Sequence, residues 1–252
     1  MQKPSSGSWE FSLSREQAKW FYIGLWGINA FFLVTNVAMA AGWHPPLNTI
    51  ARLLDMDKPG SLGKWWLSAQ LIVVSLGAVL LAGRGAGGGS RIVRWGWPCL
   101  ALVTLIMSAD SVARMRQDIE GAVRNLLPAG KLMGMELNWT EVFAPAILGF
   151  ALFLVVFARR VLGDHRHSRN LALWGVALWA ASIVLEVIEC SILYGKPVAL
   201  GIRAFEPAIE QTCQVAGTTL LVMALMELGF AGTARQPGKG SALGSIKGKI
   251  AS

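Results

Sequence analysis

Five carboxylates lie inside or at the edges of apolar stretches of this chain: Asp110, Glu186, Glu189, Glu206 and Glu210. Carboxylates are hard oxygen donors, suited to a cation, a metal or a polar head group. An ionisable group within a membrane-crossing segment is costly, so it marks a functional site unless a structural partner explains it. The spacing sharpens this. Glu186 and Glu189 are three residues apart, Glu206 and Glu210 four apart, and each pair shares one face of a helix. Four such groups near one interface cannot all remain ionised without partners, and the available cations are Arg114, Arg116, Lys196 and Arg203. Asp110 and Arg114 stand at i and i+4, a spacing that allows a direct ion pair. The purely structural reading is a set of interhelical ion pairs and helix caps near water, with Glu206 at a helix start needing the least explanation.

The elements that must position these groups are apolar helices. The chain is 54% hydrophobic and only 15% charged, a balance foreign to soluble domains and usual for polytopic membrane proteins. A membrane helix needs about 20 apolar residues, and six stretches qualify: 18–41, 65–83, 95–113, 141–158, 171–194 and 207–231. The expected fold is therefore all-α, a polytopic six-helix transmembrane bundle over residues 17–232. It is flanked by an N-terminal tail at 1–16 and a basic, disordered tail at 233–252. Fourteen Lys and Arg fall on the side of the termini and nine on the other, so both termini are expected in the cytoplasm. That alternation sends all five carboxylates to the outer end of the bundle. The first span carries an A-x-A-like Ala38-Met39-Ala40, but its length and its Asn29 and Asn36 argue for a retained helix over a cleaved signal.

Local signals give the elements their ends. Ser14-Arg-Glu-Gln17 reads as a capping box opening the first helix. Leu47, Ile50, Leu53 and Leu54 suit a short helix lying on the bundle or the membrane surface. From Asp110 to Leu127 an apolar stripe continues with charges between its members, so the third helix is expected to project outward or bend into an amphipathic one. Glu206-Pro207 reads as a helix start with proline at its first position.

Several chemistries are excluded or weakly represented. The net charge of +8 comes from basic residues flanking apolar spans, which implies the lipid bilayer as partner and no nucleic acid. The Gly-rich Arg84–Arg91 segment lacks the strand and the Lys-Ser/Thr pair of a phosphate-binding loop. His44, His165 and His167 all fall in loops, and there is no HExxH, paired ExxH or GxSxG, so no catalytic residue and no cofactor is assigned. The best metal constellation would add Cys190 and Cys213 to the glutamates. The two cysteines could also pair if their helices are neighbours, or stay free thiols.

Three stretches resemble a group of uncharacterised six-helix bacterial inner-membrane proteins. Met56-Asp57-Lys58-Pro59-Gly60-Ser61-Leu62-Gly63-Lys64-Trp65 aligns with an L-D-x-E-x-x-L-P-x-W pattern before the second helix. Asp110-Ser-Val-Ala-Arg-Met-Arg116-Gln117 aligns with D-E-x-x-x-x-H-E, and Glu206-Pro-Ala-Ile-Glu210 with E-E-x-x-E. Pro59, Ser111, Arg116 and Gln117 replace acidic or His residues of that pattern. The resemblance implies a multi-pass protein of the bacterial inner membrane and carries no activity with it. The functional expectation is an accessory or assembly subunit of a membrane complex, bound to other membrane subunits. The alternatives are a transporter or channel for a cation or small polar solute, and an enzyme of the outer leaflet.

Overall fold

The computed structural model describes residues 14–86, 90–126, 131–132, 135–136, 139–189 and 200–234. The N-terminal tail before Ser14, the tail from Arg235 and the segment 190–199 lie outside the described residues. The described chain is almost wholly helical: α1 (Arg15–Ala40), α2 (Asn48–Leu54), α3 (Leu62–Gly83), α4 (Arg91–Ala113), α5 (Met115–Leu126), α6 (Trp139–Val161), α7 (Arg166–Ile188) and α8 (Leu200–Ala234). Between α5 and α6, β1 (Lys131–Leu132) and β2 (Met135–Glu136) form a two-residue antiparallel ladder that periodicity did not foreshadow. Six of the helices, α1, α3, α4, α6, α7 and α8, are long and apolar enough to cross a membrane.

Serines set where several helices begin. The Ser14 hydroxyl accepts the Gln17 N–H at 3.2 Å, and the Ser14 N–H donates to Gln17 Oε1 at 2.8 Å, which completes the expected capping box. Ser61 and Ser90 cap α3 and α4 in the same way, accepting the N–H groups of Lys64 and Val93. Each of these two helices thus starts before its apolar window, because a cap satisfies the first-turn N–H groups and lets the helix begin in polar sequence. Lys64 is thereby drawn into the first turn of α3.

The axis of the bundle is α8, which packs against α1, α3 and α7; α3 packs on α4, α6 on α7, and α4 meets α6. The α7–α8 contact depends on two glycines. A Cβ on Gly175 would stand 2.7 Å from the Gly217 carbonyl oxygen, and a Cβ on Gly217 2.7 Å from the Gly175 carbonyl oxygen. Only glycine permits that approach. It lets Trp179 reach across, where its Nε1–H donates to the Gln214 carbonyl and to Thr218 Oγ1, both at 3.1 Å. The interior is filled by Leu71, Val74, Val215 and Val222, with Trp97 set edge-on against Phe157 at a centroid distance of 4.9 Å.

One helix start differs from the sequence reading, and one helix end takes the second of its two expected forms. Pro207 does not open α8; the helix begins at Leu200 and Pro207 lies inside it. Proline removes one N–H, so the Arg203 carbonyl loses its partner four residues on, while the rest of the ladder carries the helix through. At the other break, α4 ends and α5 turns away through Arg114, the one non-glycine residue with positive φ (57°) among those described. The chain bends there rather than continuing straight.

Candidate cation site

The site is assembled from the C-terminal ends of α4 and α7 and the N-terminal ends of α3 and α8, which the antiparallel packing brings to one end of the bundle. Glu189, at the foot of α7, meets Glu206 and Glu210 on α8. One carboxylate oxygen from each lies within 4.8 Å of the other two. Glu206 and Glu210 are only 6% and 5% exposed. The three carboxyls are treated differently by their surroundings. Glu210 Oε1 accepts from Gln214 Nε2 at 2.7 Å and from Gln211 Nε2 at 3.2 Å. Both oxygens of Glu206 are buried with no N–H or hydroxyl donor against them, and their polar neighbour is the Glu189 carboxyl, close enough to share a proton with it. Buried polar atoms without such a donor are rare because water released from them is not replaced, so such a group calls for a ligand.

Among the described residues, Lys64 is one of two cations that act on this group. Its Nζ donates to Gln211 Oε1 at 2.6 Å, and its charge acts on Glu210. One glutamine thus links the ammonium to the Glu210 carboxylate. With Glu186, Lys64 and Arg116 also in electrostatic reach, carboxyls still outnumber cations in this group, a balance that suits a bound cation.

Asp110 sits beside this group and is paired. It does not pair with Arg114. The left-handed turn at Arg114 bends the chain, and Asp110 Oδ2 meets Arg116 Nε at 3.1 Å while Oδ1 accepts the Arg116 N–H at 2.7 Å. The i, i+4 pairing that the spacing allows needs an unbroken helix, and α4 ends before Arg114, so the pair forms with Arg116, another of the candidate cations. Arg116 also acts electrostatically on Glu210 and Lys64, which ties the α4–α5 corner to the cluster. Glu186 lies one turn from Glu189 on α7, within electrostatic reach of Glu206, Glu210 and Lys64. Cys213 carries no disulfide among the described residues and its sulfur is not among the converging donor atoms. Cys190, Lys196 and the Arg203 side chain lie outside what the structure describes.

Further polar groups continue down α8 toward the middle of the bundle. Asn29 Nδ2 donates to Thr219 Oγ1 at 2.8 Å, Thr219 Oγ1 donates to Gln70 Oε1 at 2.9 Å, and Trp66 Nε1 donates to Asn29 Oδ1 at 2.9 Å. Asn36 plays a different part: it accepts the Met56 N–H and donates to the Phe32 and Leu54 carbonyls, pinning the α2–α3 corner against α1. Sequence reasoning passed over Lys64 and Gln211. The available signal was a lone Lys four residues after proline-glycine and directly before Trp65-Trp66, where a serine cap could carry it into a helix.

An all-helical chain with six helices of membrane-crossing length, and with acidic groups from separate helices at one end, is consistent with a multi-pass membrane protein. Residues 25–228 match the family model described as Domain of unknown function (DUF8692), and the chain belongs to that family. The match runs from within α1 to near the end of α8, so it takes in every residue of the acidic group. No curated protein and no solved structure matches the chain.

Proposed function

We propose that this protein is a multi-pass protein of the bacterial inner membrane, both termini cytoplasmic, that binds a hard divalent cation at its outward end as the loading site of a carrier. The observation that carries this reading is the convergence of Glu189, Glu206 and Glu210, with both Glu206 oxygens buried and facing another carboxyl in place of an N–H or hydroxyl donor. Oxygen-only donors suit calcium, magnesium or manganese over softer metals. Membrane residence is supported by side chains such as Leu80, Leu102, Leu148 and Trp174, each more than half exposed, which would be untenable together in water. The apolar faces of α2 and α5, with Leu47, Ile50, Met115, Ile119 and Leu126 uncovered, suit the bilayer surface at the same end as the site. The polar groups that follow on α8, from Gln214 to Thr219, offer partners below the loading site.

The test is titration of manganese and calcium against detergent-purified protein, followed by uptake into proteoliposomes. The expected result is one saturable equivalent, weakened roughly tenfold to a hundredfold by Glu206→Gln or Glu210→Gln with the thermal transition retained. Equal binding by wild type and both variants, or no saturable binding, overturns the site. In that event, fixed partners that co-purify in mild detergent would favour the assembly-subunit reading.

A further inference from the structure

At the opposite end of the bundle, α1 and the last turns of α8 border an open cleft of about 710 Å³ that takes no part in the acidic site. Its wall is ordered by depth. Arg15 and Lys19, in the first turns of α1, stand at the mouth. Both are exposed, and neither makes an ion pair among the described residues. Deeper along the same face come Tyr22, then Trp26 and Gly27. Arg15, Lys19, Tyr22 and Trp26 follow one another at intervals of four, three and four, which is one continuous face of a helix. Gly27 leaves the floor open, since a Cβ there would meet nothing within 4 Å. The acid within the cleft, Glu227, accepts the Tyr22 hydroxyl at 3.1 Å.

We infer that this cleft is a binding site for one anionic glycerophospholipid of the cytoplasmic leaflet, its phosphate held between Arg15 and Lys19 and an acyl chain laid along Trp26 and Gly27. The occupant is amphiphilic because the wall is: two cations at the water boundary, followed inward by aromatic and open apolar surface. The positive end of the α1 dipole adds to the field at the mouth. A free phosphate would use the mouth only and leave the apolar length empty. The inference rests on the membrane reading above, and on its orientation, but not on the cation site.

The experiment is native mass spectrometry of protein purified in mild detergent and titrated with phosphatidylglycerol or phosphatidylcholine, with membrane insertion checked separately by carbonate extraction. Wild type is expected to retain phosphatidylglycerol preferentially. Arg15→Ala and Lys19→Ala should each weaken that preference roughly fivefold, as one basic contact with an anionic lipid implies. Gly27→Leu, which fills the floor while keeping both charges, should reduce retention of either lipid. Loss of membrane insertion would refute the membrane reading itself. Normal insertion with equal retention of the two lipids, or with retention unchanged by all three substitutions, would refute the lipid site alone. Displacement of the bound lipid by soluble glycerol phosphate at matched concentration would reduce the site to a phosphate mouth and overturn the proposed occupant.

Discussion

At the scale of the residue, the decisive feature is that neighbouring carboxyls have unlike surroundings. Glu210 is held by two glutamine amides, Asp110 is paired with Arg116, and Glu206 has neither kind of partner. Read from sequence alone, Glu206 needed the least explanation, because a carboxylate beside proline looks like a helix cap. Its place inside α8 makes it the carboxyl that most needs a ligand. Lys64 supplies the complementary test. Its ammonium reaches Gln211 and acts on Glu210, so it opposes any incoming cation. Lys64→Met, which keeps an unbranched side chain one atom shorter and removes its charge, is therefore expected to tighten divalent cation binding roughly fivefold. Calorimetric titration reads this directly. Weaker binding with a normal unfolding transition would mean that Lys64 orders the site through Gln211 and does not compete with the cation.

At the scale of the element, the site depends on how closely α7 can approach α8. Glu189 reaches Glu206 and Glu210 only because Gly175 and Gly217 allow backbone to meet backbone lower down. A side chain at either position must push the helices apart or be expelled. Gly217→Val is expected to cost about 1–3 kcal/mol of stability, as overpacking of a close interior typically does. It should also weaken cation binding, since it separates α7 from α8. Gly229→Val, where a Cβ meets nothing within 4 Å, is the matched control. Thermal unfolding in detergent with and without manganese separates the two effects. The α4–α5 corner makes the same point: Asp110 finds Arg116 because Arg114 takes a left-handed conformation, a choice that spacing along a regular helix cannot reveal.

At the scale of the molecule, the two ends of the bundle are chemically unlike. One end gathers carboxyls around Lys64, and the other presents Arg15 and Lys19 above an aromatic cleft. This polarity predicts a vectorial arrangement in the membrane. In a variant freed of its native cysteines, Asp57→Cys should react with a membrane-impermeant maleimide added to intact cells. Ser90→Cys should react only after permeabilisation. The opposite pattern would invert the orientation and move the acidic site to the cytoplasm, and labelling of both from outside would reject the six-span topology.

What the sequence by itself determined was the helical class and the presence of six long apolar helices. These follow from composition and from runs of apolar residues, and both properties are local along the chain. The capping box at Ser14 was legible for the same reason, because its partners lie three residues apart. The candidate acidic residues could be named, since a carboxyl in an apolar stretch stands out wherever it falls. Which of them converge, which stay paired and which are left without a donor was decided only by the tertiary structure. Those outcomes depend on contacts between residues up to about 150 positions apart, such as Lys64 with Gln211. They depend also on two glycines whose importance comes from facing each other across a helix interface. Such contacts are set by how the helices pack together, and no local pattern of residues records that packing.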